Sequence, residues 1–185
     1  MSDHEAEFRE FVGAQMESLR GLAYLTCGDW QVAEDAVLSA LARLYVKWGR
    51  VENHGSYART AVVRAAIDET RRPWWRREQS HSHAMPEMPA PDVIPDVDDR
   101  VQLRAALMQV PVKHRAVLVL RFLEGLSVPQ TAAALRCPEG TVKAYTSRGL
   151  ETLRRILGAD LSLDERVSGP VAADRRRTEA RHEAF

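Results

Sequence analysis

The sequence has little cysteine. Cys27 and Cys137 are its only two, and they lie far apart. They supply neither a disulfide framework nor a complete metal site. Each sits among or beside apolar residues and is read as a structural thiol. Long hydrophobic runs are also missing: none approaches the ~20 residues that a membrane-spanning helix needs. The opening MSDHEAEFREF is acidic and polar, unlike a signal peptide. These features predict a cytoplasmic chain with no membrane insertion. No glycine-rich phosphate loop is present, and His81 and His83 have no acid-base partners nearby. Glu34 and Asp35 are adjacent, so on a helix they diverge by about 100° and cannot share a site. No catalytic residue, cofactor or metal is therefore expected.

Net charge is absent too, with 26 Lys and Arg against 26 Asp and Glu. The charges are nevertheless segregated. Met1 to Ala42 holds eight acids and two Arg, a net of −6. Arg100 to Leu157 holds eight Arg, two Lys and three Glu, a net of +7. An acidic front and a basic back point to different partners for different parts of one chain.

A chain of 185 residues suits one ordinary domain or two small ones. The apolar pattern is helical. Phe8, Phe11, Val12, Leu19, Leu22, Ala23 and Leu25 recur at three- and four-residue steps. Gly28 is placed to close that helix and Asp29 to cap the next. The second stripe is Ala33, Ala36, Val37, Ala40, Leu41, Leu44, Tyr45 and Trp48. Gly49 to Gly55 breaks it. Ser56 is a candidate cap for a third helix, from about Tyr57 to Arg72, with Ala61, Ala65 and Ile67 inward. Pro73 bars its continuation.

From Pro73 to about Asp98 the texture changes to an extended linker, interrupted by Pro73, Pro86, Pro89, Pro91 and Pro95. It begins basic and aromatic, with Trp74, Trp75, Arg76 and Arg77, and ends acidic. Helical periodicity resumes near Val101, where Leu103, Ala106, Leu107 and Val110 share a face. A helix from Lys113 to Leu123 follows, with Val117, Leu120 and Leu123 inward and Gly125 as its stop. The tail from Gly158 is polar and is assigned no structure. The expected fold is all-α: two small helical domains, 1–73 and 100–157, joined by a flexible linker, 74–99, and followed by a tail, 158–185.

The most informative segment begins at Ser127. Ser127 and Gln130 have capping-box spacing, and Pro129 is tolerated in a first turn. Thr131, Ala132 and Leu135 face inward, and Ala132 is small enough for a steep helix crossing. Arg136-Cys137-Pro138 reads as a tight turn with Cys137 as its plug. Pro138 suits the first position of the next helix. Val142, Tyr145, Gly149 or Leu150, and Leu153 give that helix a buried side. This is the layout of a helix-turn-helix. Glu139, Thr141, Lys143, Thr146, Ser147 and Arg148 are left on the outward face. Lys143 and Arg148 suit phosphate or guanine, Thr141 and Ser147 suit phosphate or base edges, and Glu139 suits a cytosine amino group. Arg115, Arg121, Arg154 and Arg155 are candidates for added contacts to the DNA backbone.

Three stretches resemble the extracytoplasmic-function (ECF) sigma factors of the sigma-70 family. Asp29 to Val37, DWQVAEDAV, is similar to the helix that docks on RNA polymerase. Tyr57 to Arg72, ending AIDETRR, is similar to the region that melts and reads the minus-ten element. Pro111 to Leu153, with RAVLVLRF and PEGTVK, is similar to the region that reads the minus-thirty-five element. The resemblance implies that Glu34, Asp35, Leu38 and Ser39 hold core polymerase. It implies that Arg64, Asp68, Arg71 and Arg72 engage the minus-ten strand, with Trp74 and Trp75 as candidate stacking residues. It implies that Glu139, Thr141, Lys143, Tyr145, Thr146, Ser147 and Arg148 form the minus-thirty-five reading surface. The acidic linker would run through polymerase near the RNA path, and an anti-sigma factor is an implied partner. Two positions depart from the family: Arg64, where asparagine is frequent, and Ala144-Tyr145, where a serine-arginine pair is frequent. The alternative reading is a stand-alone helix-turn-helix regulator that binds duplex DNA as a dimer.

Overall fold

In the computed structural model, residues 3–70 and 97–158 are described. They contain helices and no strand. The expected linker, with Arg71, Arg72, Trp74 and Trp75, and the polar tail lie outside the described residues.

The first bundle consists of α1 (Asp3–Cys27), α2 (Trp30–Val46), a single 3-10 turn (Trp48–Arg50) and α3 (His54–Thr70). Gly28 adopts φ +80° and ends α1. Asp29 then caps α2, its side chain accepting from the Val32 N–H at 2.9 Å. Ala33, Ala36, Val37, Ala40, Leu41 and Leu44 are buried along α2, as their spacing predicts. Tyr45 is not: it is 51% exposed, because the buried stripe turns away from it toward Trp48. Trp48 organises the base of the bundle. The Phe8 and Phe11 rings meet it edge-on, and His54 stacks on it at 3.7 Å. The His54 Nε2 donates to the Trp48 carbonyl at 2.9 Å, which draws the start of α3 three residues forward of Tyr57. The cap of α3 is therefore Asn53, whose side chain accepts from the Ser56 N–H at 2.8 Å; Ser56 lies inside the first turn.

The second bundle consists of α4 (Val97–Met108), α5 (Val112–Leu118), a π-helical turn (Val119–Leu123), α6 (Val128–Leu135) and α7 (Glu139–Leu157). Helix resumes at Val97, earlier than the apolar stripe alone predicts, because its first turn is polar and carries no periodic signal. Pro111 is the N-cap residue of α5. The wide turn alters the facing of its residues: Val119 and Leu120 are buried, but Leu123, expected inward, is 38% exposed. Ala106, Val110, Leu118 and Leu153 form one core cluster, and Val117, Ala132 and Val142 form another.

The bundles also pack on each other. Leu22 of α1 and Val63 of α3 share a buried cluster with Ala116, Val119, Leu120 and Ala134 of the second bundle.

Candidate nucleic-acid and polymerase interfaces

The helix-turn-helix is built by local chemistry that the sequence announces. The Ser127 N–H donates to Gln130 Oε1 at 2.8 Å, and the Gln130 N–H donates to Ser127 Oγ at 3.3 Å. That reciprocal pair fixes the start of α6. Arg136 closes α6 in the left-handed conformation, φ 52° and ψ 48°, where glycine would be less strained. Its N–H reaches the Ala133 carbonyl, and the Cys137 N–H reaches that of Ala132 at 3.0 Å. Pro138 is the N-cap of α7, with extended backbone, so Glu139 rather than Pro138 is the first helical residue. The Thr141 and Val142 N–H groups both return to the Pro138 carbonyl.

Seating of α7 depends on Gly149. A methyl group there would lie 2.9 Å from Leu118 Cδ1, so only glycine allows α5 and α7 to approach this closely. On the opposite side Glu139, Lys143 and Ser147 form an exposed stripe at four-residue steps, with exposed Arg148 beside it. Thr141, Tyr145 and Thr146 are half-buried at its edge. The Thr146 hydroxyl donates back to the Val142 carbonyl at 2.8 Å. The Tyr145 ring lies 4.6 Å from that of His114, a neighbour that no motif singles out. Desolvation, then the charge of Arg148, lowers the His114 pKa. Arg115 does not serve the DNA backbone. It is 3% exposed and donates to the carbonyls of Thr26, Leu107 and Met108. Burial of its long stem places the guanidinium against the carbonyls at the ends of α1 and α4.

On α3, Arg64 and Asp68 stand one turn apart; Asp68 is exposed, and Arg64 is turned toward α6. Its Nη2 donates to the Ala133 carbonyl at 2.8 Å and its Nε to the Ala134 carbonyl. Arg71 and Arg72 fall outside the described residues.

The α2 surface is of another kind. Leu38 is 61% exposed, and Tyr45 and Val46 continue the apolar surface two turns on. Beside Leu38 a shallow groove is lined by Met16, Arg20, Glu34, Val37 and Leu38. Glu34 is held by Arg20 at 3.3 Å, while Asp35 is exposed and Ser39 half-buried. Tyr45 was missed as a surface residue because an apolar stripe wider than the core reads, in one dimension, as more core.

Neither cysteine is poised for chemistry. The Cys27 Sγ donates to the Asp29 carbonyl at 3.1 Å, and desolvation lifts its pKa to about 11. Desolvation also raises that of Cys137, which packs as the expected plug beside Ala132 and Val142.

Known proteins match this arrangement. The family described as sigma-70, region 4 matches residues 100–153. An RNA polymerase sigma-E factor of Streptomyces coelicolor is 35% identical over 156 residues, covering 83% of this chain and 87% of that protein. The ECF RNA polymerase sigma factor SigM of Mycobacterium tuberculosis is 32% identical over 149 residues, covering 76% and 71%. The solved sigma factor RpoE, in complex with the anti-sigma factor NepR from Bartonella quintana, superposes with a TM-score of 0.63 at 22% identity, over 83% of this chain and 98% of that one. That last likeness concerns the fold alone. On the identity and coverage of the sequence relatives, the chain belongs to the RNA polymerase sigma factors of the extracytoplasmic-function type, in the sigma-70 family.

Proposed function

We propose that this chain joins core RNA polymerase and gives it promoter choice, one module reading the minus-ten element and the other the minus-thirty-five. The observation that carries this is the α6–turn–α7 unit, which leaves the polar first half of α7 in solvent while Val142, Gly149 and Leu153 hold its other side. An α-helix so presented fits the DNA major groove. Lys143 and Arg148 supply cations for phosphate or guanine. Thr141, Thr146, Ser147 and Tyr145 supply hydroxyls, and Glu139 an acceptor. Arg64 and Asp68, followed by Arg71 and Arg72, serve the minus-ten strand, which a basic surface tracks when melted. Glu34, Asp35, Leu38 and Ser39, extended by Tyr45 and Val46, serve polymerase.

The division of labour is 1–73 for polymerase and the minus-ten strand, a tether that begins at 74 and gives way to α4 at Val97, the second bundle to 157 for the minus-thirty-five element, and 158–185 as tail. The chain works without catalysing a covalent step: binding energy holds melted DNA. It acts in the cytoplasm, where polymerase and promoter are. Among the described residues no helix is long and apolar enough to cross a membrane. An anti-sigma factor is a further partner, as NepR is for RpoE.

The test is transcription in vitro with core polymerase on genomic fragments, with and without the chain. Specific starts only in its presence are expected. Operator binding as a dimer, with no initiation, would establish the stand-alone regulator instead.

A further inference from the structure

The flank of α7 that faces α5 holds polar groups that the helix-turn-helix itself does not use. His114 of α5 packs its ring 4.6 Å from that of Tyr145, with the planes 46° apart. Its Nδ1 is buried and has no partner among the described residues. Nε2 is the nitrogen left at the surface of this half-buried ring. A buried N–H without an acceptor is rarer than a buried acceptor without a donor. The neutral imidazole therefore keeps its proton on Nε2 and turns a donor outward. The Tyr145 hydroxyl beside it makes no hydrogen bond among the described residues. Arg148 follows three positions later, so it neighbours Tyr145 on the helix surface. It is exposed and in no ion pair among the described residues.

No acid offsets these donors. The helices α5 and α6 contain none. The acids of α7, Glu139 and Glu151, each lie six positions from Tyr145, about 120° round the helix. Burial first, and then the charge of Arg148, disfavours a cation on His114 in the free chain.

We propose that His114, Tyr145 and Arg148 form an anion site for one backbone phosphate of duplex DNA, with the His114 Nε2–H, the Tyr145 hydroxyl and the Arg148 guanidinium as its donors. The inference deepens the reading of α7 as a major-groove helix and rests on it. The major groove is about 12 Å wide, and a helix with its side chains is about 10–12 Å across. The flanks of a docked helix therefore meet the phosphate walls. Glu139, Lys143 and Ser147 lie on the side away from α5 and are left for the groove. The α5-facing flank then lies against the backbone of one strand. All three groups can donate to a phosphate oxygen. Arg148 supplies charge. His114 supplies direction, because its ring is already held against Tyr145 and little ordering remains to be done on binding. The positioning of DNA thus draws on a residue outside the reading helix.

The experiment uses the full chain assembled with core polymerase, on a promoter fragment from the transcription test, at pH 8 where His114 is neutral. Backbone phosphates are neutralised one at a time by ethylation. Native holoenzyme is expected to lose at least about fivefold in affinity at one phosphate beside the minus-thirty-five element. His114→Phe keeps the ring packing and removes the N–H. It is expected to bind the unmodified fragment about fourfold more weakly with the salt slope unchanged, and to be less sensitive to ethylation at that phosphate alone. His114→Gln returns an N–H near the same place and is expected to recover half or more of the loss. Tyr145→Phe combined with His114→Phe is expected to cost less than the product of the separate losses, since both act on one phosphate. Native affinity in His114→Phe overturns the site. So does a loss that leaves the ethylation pattern unaltered, which would make His114 a packing residue only. A native holoenzyme that binds no promoter would overturn the sigma reading instead. The same variants are then read on the free chain with a short random duplex, where the fourfold loss and its rescue by His114→Gln support the site and their absence overturns it.

Discussion

At the scale of single residues, three positions decide how α7 is held. His114 sits against Tyr145 with its Nδ1 buried and unpartnered. Its pKa lies below the ordinary value of about 6.5. The unfolded chain therefore takes up the proton first. Stability from this group is complete above pH ~6.5 and is lost as pH falls through that value toward the depressed folded one. Urea unfolding of the native chain is expected to show a falling midpoint between pH 7 and pH 5 that His114→Phe lessens. Gly149 is fixed by the close approach of Leu118. Gly149→Ala gains helix propensity of ~1 kcal/mol but overpacks the contact by about 1–3 kcal/mol. The expected net loss is about 1 kcal/mol, measurable as a lower denaturant midpoint. Arg136 carries the one positive φ among the described non-glycine residues. Arg136→Gly removes that strain and should raise stability by about 0.5–1 kcal/mol, less the entropy that glycine adds to the unfolded chain.

At the scale of elements, the helix-turn-helix stands on its caps. Ser127→Ala removes one half of a capping box in which both bonds form. A loss of about 1 kcal/mol is expected, read as faster amide exchange in α6 than in α7. For DNA, the exposed stripe on α7 separates roles. Lys143→Ala should weaken binding to promoter fragments almost uniformly across sequences and reduce the salt slope by about 1 if its contact is phosphate. Loss of preference at one base pair, with the slope unchanged, would assign it to a base edge instead. These elements were largely legible in the sequence, because the Ser127–Gln130 pair, Pro138 and the apolar spacing of Val142, Gly149 and Leu153 are local signals. The π turn at Val119–Leu123 was not legible. No residue in VLRFL marks a five-residue hydrogen bond, and its effect on the facing of Leu123 comes from the wider turn.

At the scale of the whole molecule, Arg115 has the widest reach. It was read as a surface cation because arginine usually is one. The structure buries it between α1, α4 and α5. Arg115→Ala would strand the Thr26 and Met108 carbonyls at a cost of about 2–3 kcal/mol and loosen the coupling of the bundles. Scanning calorimetry is expected to split one transition into two, and Arg115→Lys would restore little, since a point-like ammonium cannot reproduce the planar fork that reaches Thr26 and Met108 together.

The sequence by itself determined the helices, the caps at Asp29 and Ser127 and the helix-turn-helix, since each depends on residues within a few positions of one another. Which surfaces are free was decided only by tertiary structure. Tyr45, an apolar residue in a core-like stripe, is exposed, while Arg115, a cation in a basic segment, is buried. Arg64 was legible as a candidate for DNA, but not as the donor that closes α6 from the other bundle. Spacing along the chain reports which residues share a helix face. It carries no information on which helix end, 70 positions away, will lack a hydrogen-bond donor.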